Sequence, residues 1–257
     1  VSVGGQPKYS KDYAPLPAGI THVSFNDVAA LEATISDKTC AVIIEPIQGE
    51  SGILPATQEY LQAARRLCDK HGALLILDEV QTGMGHTGKL FAYEHYGVTP
   101  DILSSAKALG GGFPIGAILT TDKIAPTFGP GTHGSTFGGN PMACAVGSRA
   151  FDIINAPETL AHVKQQGQKL QMALRELGEK NGVFKEVRGM GLLLGCVLAD
   201  KYEGKASEIT AAALKHGLMV LVAGANVVRF APSLLLNDED MAEGLKRFEA
   251  ALDEWLA

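Results

Sequence analysis

Short apolar runs alternate with amphipathic stretches over the first part of the chain, and this alternation predicts an α/β domain. One amphipathic stretch, 57–71, places Leu61, Ala64 and Cys68 at helical spacing and ends at Gly72, a residue type that commonly terminates helices. Because the first two apolar runs are almost continuous, we expect strands of a mostly parallel sheet that are buried on both faces. The runs are strand-sized and lie at 40–46, 73–80, 100–106 and 117–121.

The sequence before these runs carries weaker signals. Residues 21–25 are short and β-rich, which predicts a strand, and Asn26 is placed to cap a helix over 27–36. Residues 1–19 are rich in turn-forming residues and predict no helix. A domain rarely begins in this way, so we expect a further part of the protein to precede Val1.

The pattern changes near residue 154, where a long amphipathic helix is predicted over 158–180. The last helix is predicted over 238–256, with Asn237 as its N-cap. We therefore predict a large domain at 1–153 and a smaller α+β domain at 154–257. The remaining elements predicted in the second domain are strands at 185–189, 192–198, 219–223 and 226–232 and a helix at 206–216.

Composition then excludes several classes of function. The net charge is −6 and no basic stripe is present, which argues against a nucleic-acid partner. No apolar run approaches the roughly 18 residues that a membrane-spanning helix needs. The four cysteines are scattered and the histidines lack metal-ligand spacing, so we expect a cytoplasmic protein with reduced thiols and no structural metal site.

Polar clusters follow the predicted strands, and in an open parallel sheet ligands bind outside the carboxyl ends of the strands. Asp78 follows an apolar run, so its carboxylate requires a cation, although a helix-capping or surface-paired acid is an equally good interpretation. Lys107 precedes three glycines, and a lysine amine near a desolvated site becomes nucleophilic; the alternative is an ordinary solvated lysine. The clusters lie at 45–50, 78–81, 104–107 and 131–141.

Two further features add chemistry. Ser135 and Thr136 combine hydroxyls with flanking glycines just before a helix that starts at Pro141, which suits a phosphate, although a glycine-rich turn explains them equally. Arg229 lies between apolar strand residues and should be paired, either with a ligand carboxylate or in a structural salt bridge. Glu50 is a candidate partner if the two domains meet over the site.

Six motifs in order give the chain a resemblance to the class III (subgroup II) aminotransferases, which use pyridoxal phosphate (PLP) and have the aspartate-aminotransferase fold (PLP fold type I). Within this family the chain is most similar to acetylornithine and succinylornithine aminotransferases of bacterial arginine metabolism, through residues 2–17 and 221–234. The six motifs are EPIQGE (45–50), LDEVQTGMGHTG (77–88), SSAKALGGGFPIGA (104–117), HGSTFGGNP (133–141), RGMGLLLG (188–195) and VVRFAPSL (227–234).

The resemblance implies a role for each matching residue. Lys107 would hold the cofactor aldehyde as an imine and later transfer the proton, and Asp78 would pair with the pyridine nitrogen. Thr136 would bind the cofactor phosphate across the interface of a homodimer, and Ser135 would lie beside the substrate. Glu79, Val80 and Gln81 would complete the cofactor wall, while Arg229 would receive a substrate carboxylate and Glu50 would hold Arg229 when that carboxylate is absent.

The implied reaction is transamination of N-acylated ornithine with 2-oxoglutarate, and the sequence leaves open whether the acyl group is acetyl or succinyl. Two features depart from the family: His86 stands where we expect arginine, and the N-terminal region that completes the pocket is missing. Alternatives are an ornithine or 4-aminobutyrate aminotransferase, an aminomutase, or a non-catalytic relative that binds a phosphorylated ligand or only dimerises. A nucleotide-binding oxidoreductase would need a glycine fingerprint after the first strand, and none is present.

Overall fold

Helices and strands alternate through the first half of the computed structural model, which describes residues 1–257. The helices are α1 (Pro7–Ser10), α2 (Val28–Thr34), α3 (Gln58–His71), α4 (Pro141–Ile154), α5 (Pro157–Asn181), α6 (Ala206–Lys215) and α7 (Asp238–Leu256). The strands are β1 (Ala41–Ile44), β2 (Ile47–Gln48), β3 (Leu54–Pro55), β4 (Leu74–Asp78), β5 (Ile102–Ser105), β6 (Ala117–Thr120), β7 (Phe184–Met190), β8 (Leu193–Leu198), β9 (Leu221–Val222) and β10 (Val227–Phe230). None of the helices combines the length and apolar character needed to cross a membrane.

The first sheet has the order β1-β4-β5-β6, in which only the β5–β6 pair is antiparallel. This confirms the predicted mostly parallel sheet, and α3 begins after Thr57 and ends at Gly72 as expected. The expectation that the first strands are buried on both faces is wrong. Because α3 covers one face, Ile44 and Leu77 are buried there, whereas Ile43 points to the other face and is 48% exposed.

Three predictions near the N-terminus are wrong. Residues 21–25 form no strand because no neighbouring strand pairs with them; instead the ring of Phe25 packs against α3. The N-cap of α2 is Asp27, which accepts a hydrogen bond from the Ala30 amide at 2.9 Å, while Asn26 binds the backbone of residues 55 and 57. One helical turn, α1, forms where no helix was predicted.

The second sheet is antiparallel, with the order β7-β8-β10-β9. Helices α5, α6 and α7 pack around a core that includes Leu174, Leu194 and Phe248. The predicted helices and strands of this half are all present, and Asn237 caps α7 by accepting a hydrogen bond from the Asp240 amide at 2.7 Å. The domain boundary between residues 153 and 154 stays a prediction.

A short hairpin, β2–β3, joins the two sheets and was not predicted. Ile47 of β2 and Ile53, which precedes β3, are fully buried against Leu193 and Val227 of the second sheet. Arg188 donates two hydrogen bonds to the Gly52 carbonyl, at 3.0 and 2.8 Å. The loop 49–53 is therefore fixed against the second half of the chain.

Two glycines in long helices test how tightly the second half of the chain packs. A Cβ at Gly167 of α5 would lie 2.3 Å from the Gly191 carbonyl oxygen, whereas one at Gly244 of α7 would have its nearest neighbour at 3.7 Å. We expect Gly167→Ala to lower the free energy of unfolding by about 1–3 kcal/mol, because backbone must shift. Gly244→Ala is the matched control and should raise it by up to about 1 kcal/mol. Urea unfolding measures both, and equal effects would contradict the packing described.

Candidate active site

Parallel pairing brings the ends of three strands to one edge of the first sheet. Ile44 of β1 is paired with Leu77 of β4, and Asp78 of β4 is paired with Ser104 of β5. The residues that follow, Glu45 and Lys107, therefore leave the sheet beside Asp78. The structure thus brings two of the predicted catalytic residues, Asp78 and Lys107, to neighbouring strand ends.

Lys107 occupies a strained backbone position. It starts a 3-10 turn, Lys107–Gly110, and its φ of +51° is in the left-handed region that residues other than glycine rarely adopt. Gly111, with φ +55°, ends the turn. The Lys107 side chain is exposed, and no hydrogen bond or ion pair engages its amine. Because backbone strain is often found at active sites, this conformation supports a functional role for Lys107.

Asp78 is half-buried at the end of β4. Its Oδ1 atom accepts a hydrogen bond from the Val80 amide at 3.0 Å, and its Oδ2 atom has no hydrogen-bond partner. No cationic side chain of the chain forms an ion pair with it. The carboxylate is thus available for a cation supplied from outside the chain.

Glu45 is a site residue to which sequence reasoning assigned no role. It is half-buried, and its Oε2 atom accepts a hydrogen bond from the Gly49 amide at 3.0 Å. Burial raises the pKa of the Glu45 carboxyl; nearby Asp78 also raises it, while the charge of Lys107 lowers it. The signal that could have identified Glu45 is its place directly after β1, next to Asp78 in the sheet.

Glu50, Gln81 and Arg229 form a polar cluster above this edge. Arg229 of β10 donates from Nη1 to Glu50 Oε1 at 2.7 Å, and its side chain is only 13% exposed. Gln81 donates to the same Glu50 oxygen at 3.0 Å and accepts from Arg229 at 3.2 Å. The hydrogen bond from Arg229 holds the pKa of Glu50 below its usual range. The Glu50–Arg229 pair suggested by the sequence is therefore present between the two halves.

Glu79 is buried and turns into the loop that follows β4. Its carboxylate accepts hydrogen bonds from the Thr82 hydroxyl and from the amides of Ala92 and Tyr93. Burial raises the pKa of Glu79, and these three bonds lower it. Because all three bonds point into this loop, the geometry gives Glu79 a structural role and does not place it with Asp78 and Lys107. Val80, the residue after Glu79, is half-buried.

Ser135 and Thr136 lie in an exposed loop before α4. Ser135 Oγ accepts a hydrogen bond from the Gly138 amide at 2.9 Å, and Asn140 caps α4. No hydrogen bond links this loop to Asp78 or Lys107. Hydrogen bonds therefore connect neither Ser135 nor Thr136 to the catalytic residues predicted in the same chain.

His86 stands close to the site. Its Nδ1 atom is 3.1 Å from the Gly83 carbonyl oxygen, which makes it the donor. Burial lowers the pKa of His86, and the charge of Lys107 lowers it further. Burial thus favours the neutral form of His86, whereas the arginine expected at this position would keep its charge.

Known proteins are similar to this chain over almost its whole length. The family model for aminotransferase class III matches residues 1–252. The chain is 80% identical over its whole length to the acetylornithine aminotransferase of Neisseria meningitidis serogroup B, and it spans 65% of the length of that relative. It is 56% identical over 254 residues to the succinylornithine transaminase of Yersinia enterocolitica, of which it spans 61%.

Solved structures show the same fold. The N-acetylornithine aminotransferase from Stenotrophomonas maltophilia superposes with a TM-score of 0.87 at 45% identity, over 94% of this chain and 64% of that one. An ornithine aminotransferase from Toxoplasma gondii, which carries PLP at partial occupancy in its active site, superposes with a TM-score of 0.92 at 32% identity, over 98% of this chain and 60% of that one. The fold is PLP fold type I. The chain therefore belongs to the class-III aminotransferase family.

Proposed function

We propose that the full-length protein is a PLP-dependent aminotransferase that transfers an amino group from N-acylated ornithine to 2-oxoglutarate. The observation that carries the proposal is the placement of an unengaged lysine, Lys107, and a half-buried carboxylate, Asp78, at the ends of adjacent strands. The chain spans about 65% of the length of its curated relatives, so the proposal concerns the longer protein. Acetylornithine and succinylornithine enzymes at 56–80% identity support the substrate class, with the acyl group left open.

The residues present fit PLP. The Lys107 amine has no partner in the chain, as a lysine that bonds covalently to an aldehyde requires. Asp78 keeps Oδ2 free and has no cationic partner, which suits a protonated ring nitrogen. Val80 and Gln81 follow Asp78 on the same turn, and in this proposal they complete the wall of the ring site. When bound, PLP supplies an aldehyde that takes up an amino group and a ring that withdraws electrons.

Lys107 and Asp78 divide the chemistry in this proposal. Asp78 stabilises the positive charge of the ring nitrogen, which increases the electron demand at the reacting carbon. Lys107 would hold the cofactor aldehyde and, once its amine is free, would move the proton at the substrate carbon as a general acid and base. Gly111 and Gly112, both with positive φ, give the segment that carries Lys107 room to adjust. Glu79 acts indirectly by fixing the loop after Asp78.

We propose a cytoplasmic homodimer in which Thr136 of one copy binds the cofactor phosphate of the other. Two features support this arrangement. The loop of Ser135 and Thr136 makes no hydrogen bond with Asp78 or Lys107 of its own chain, and apolar side chains beside it are exposed: Phe137 is 82% exposed and Met142 is 65% exposed. A second copy would cover these side chains and complete the phosphate site, with Ser135 beside the substrate.

Arg229 and Glu50 allow one site to accept two substrates in this proposal. Arg229 binds the distal carboxylate of 2-oxoglutarate or glutamate in a two-point contact. When the acylated ornithine is bound, Arg229 returns to Glu50, which avoids an uncompensated buried charge. A hairpin packed on the second sheet holds Glu50 in reach of Arg229.

The first prediction concerns Lys107. With PLP added, the full-length protein should show the absorbance of a covalently bound cofactor, and borohydride should fix the cofactor on Lys107, as peptide mass spectrometry detects. Lys107→Ala should abolish the adduct because no other amine lies at this strand end. Lys89→Ala removes an exposed lysine and is the control that should keep it. An adduct at a different lysine would overturn the proposal.

The second prediction concerns the two substrates. Arg229→Ala should raise the KM for 2-oxoglutarate by about 100-fold, because loss of a buried charged contact is costly. The KM for the acylated ornithine should change by less than about tenfold, since that substrate does not use the contact. Glu50→Ala should shift the ratio of kcat/KM values between the two amino donors. Steady-state kinetics with each substrate varied measures both variants, and equal changes for the two substrates would contradict the switch.

A further inference from the structure

The side-chain amide of Gln81 closes a ring between Glu50 and Arg229. Gln81 Nε2 donates to Glu50 Oε1 at 3.0 Å, and Gln81 Oε1 accepts from Arg229 Nη1 at 3.2 Å. Arg229 Nη1 itself donates to the same Glu50 oxygen at 2.7 Å. Each of the three side chains therefore touches the other two, and the amide has only one orientation that satisfies both neighbours.

Backbone on both sides fixes the position of this amide. A Cβ at Gly49 would lie only 2.4 Å from Gln81 Oε1, so the amide rests directly on the Gly49 backbone. Packing of Ile47 and Ile53 on the second sheet holds that backbone in place. On the other side, the Asp78–Val80 hydrogen bond fixes the turn from which Gln81 projects. This backbone therefore restricts the movement of the Gln81 side chain when Glu50 or Arg229 changes its partner.

Arg229 has few other interactions in this state. Its Nε atom is buried without a hydrogen-bond partner, and both of its side-chain hydrogen bonds come from Nη1. Glu50 and Gln81 are therefore the two acceptors that retain the guanidinium. Removing either one leaves Arg229 with a single acceptor and makes its departure easier.

We infer that Gln81 is a positioning residue that sets how readily Arg229 leaves Glu50, and so sets the preference between a dicarboxylate and an acylated amine. The inference rests on the proposed function of the same site. Gln81 Oε1 helps to retain Arg229 in the closed pair. When Arg229 binds a substrate carboxylate, Gln81 Nε2 still donates to Glu50. The Glu50 carboxylate therefore keeps one hydrogen-bond partner.

Two substitutions of Gln81 should act in opposite directions. Gln81→Leu removes the acceptor that retains Arg229, so a dicarboxylate should bind about threefold to tenfold more tightly. Gln81→Glu replaces the neutral acceptor by a carboxylate that holds Arg229 more firmly, so the same ligand should bind several-fold more weakly. A general packing defect would change the dicarboxylate affinity of both variants in the same direction.

Calorimetry of glutarate binding to the full-length protein without cofactor measures this directly. Glutarate carries two carboxylates and has no amino or keto group, so it reports on Arg229 without any reaction. Gln165→Leu, on the exposed surface of α5, is the control and should leave the affinity unchanged. Unchanged affinity in both Gln81 variants, changes of the same sign, or no glutarate binding by the wild-type protein would overturn the inference.

Kinetics of the cofactor-loaded enzyme provide the second measurement. In Gln81→Leu the KM for 2-oxoglutarate should fall and the KM for acylated ornithine should rise, with kcat changing less than either. A fall in kcat alone, with both KM values unchanged, would give Gln81 only a role at the cofactor and would overturn the inference. The Lys107 adduct of the wild-type protein tests the proposed function separately: if it forms while glutarate affinity is insensitive to Gln81, the inference alone fails.

Discussion

Parallel pairing of β1, β4 and β5 is the constraint on which the site depends. Because the three strands run in the same direction, their carboxyl ends place Glu45, Asp78 and Lys107 at one edge, although 62 residues of sequence separate the first from the last. Backbone amides bind only one oxygen each of Glu45 and Asp78, and the Lys107 amine has no partner. An amine without a partner and a half-buried carboxylate thus remain available to a ligand, at the cost of the strained backbone of Lys107.

One apolar hairpin packs the first half of the chain against the second and positions Glu50. Ile47 and Ile53 anchor it on the antiparallel sheet, and this brings Glu50 to Arg229. The pair, with Gln81, provides opposite charge for an arginine whose side chain is almost buried. Substrate recognition in the proposed function is therefore an exchange of partners for one guanidinium, without any demand for a new cavity.

Helices and strands with regular apolar patterns could be predicted from sequence. Elements that depend on a neighbouring strand or on backbone distant in sequence could not. Apolar runs gave β1, β4, β5 and β6, and Asn237 marked the start of α7 correctly. Residues 21–25 have strand-like composition but no strand beside them, and Asp27 caps α2 because Asn26 adopts a positive φ and binds other backbone. The residues Asp78, Lys107, Glu50 and Arg229 could be singled out because a polar residue beside an apolar run requires an explanation. The roles of Glu45 and Gln81 depend on strand register and on packing against Gly49, which the sequence does not display.

The central claim of the proposed function is that Asp78, at the end of β4, pairs with a cationic ring nitrogen of the cofactor. Nitrogen-15 NMR of the full-length protein loaded with PLP labelled at the ring nitrogen tests it most directly. The account predicts a chemical shift of a protonated nitrogen at neutral and mildly alkaline pH, and a shift of a neutral nitrogen in Asp78→Asn, because the amide is isosteric but carries no charge. A ring nitrogen that is neutral in the wild-type protein, or equally protonated in Asp78→Asn, would contradict the account.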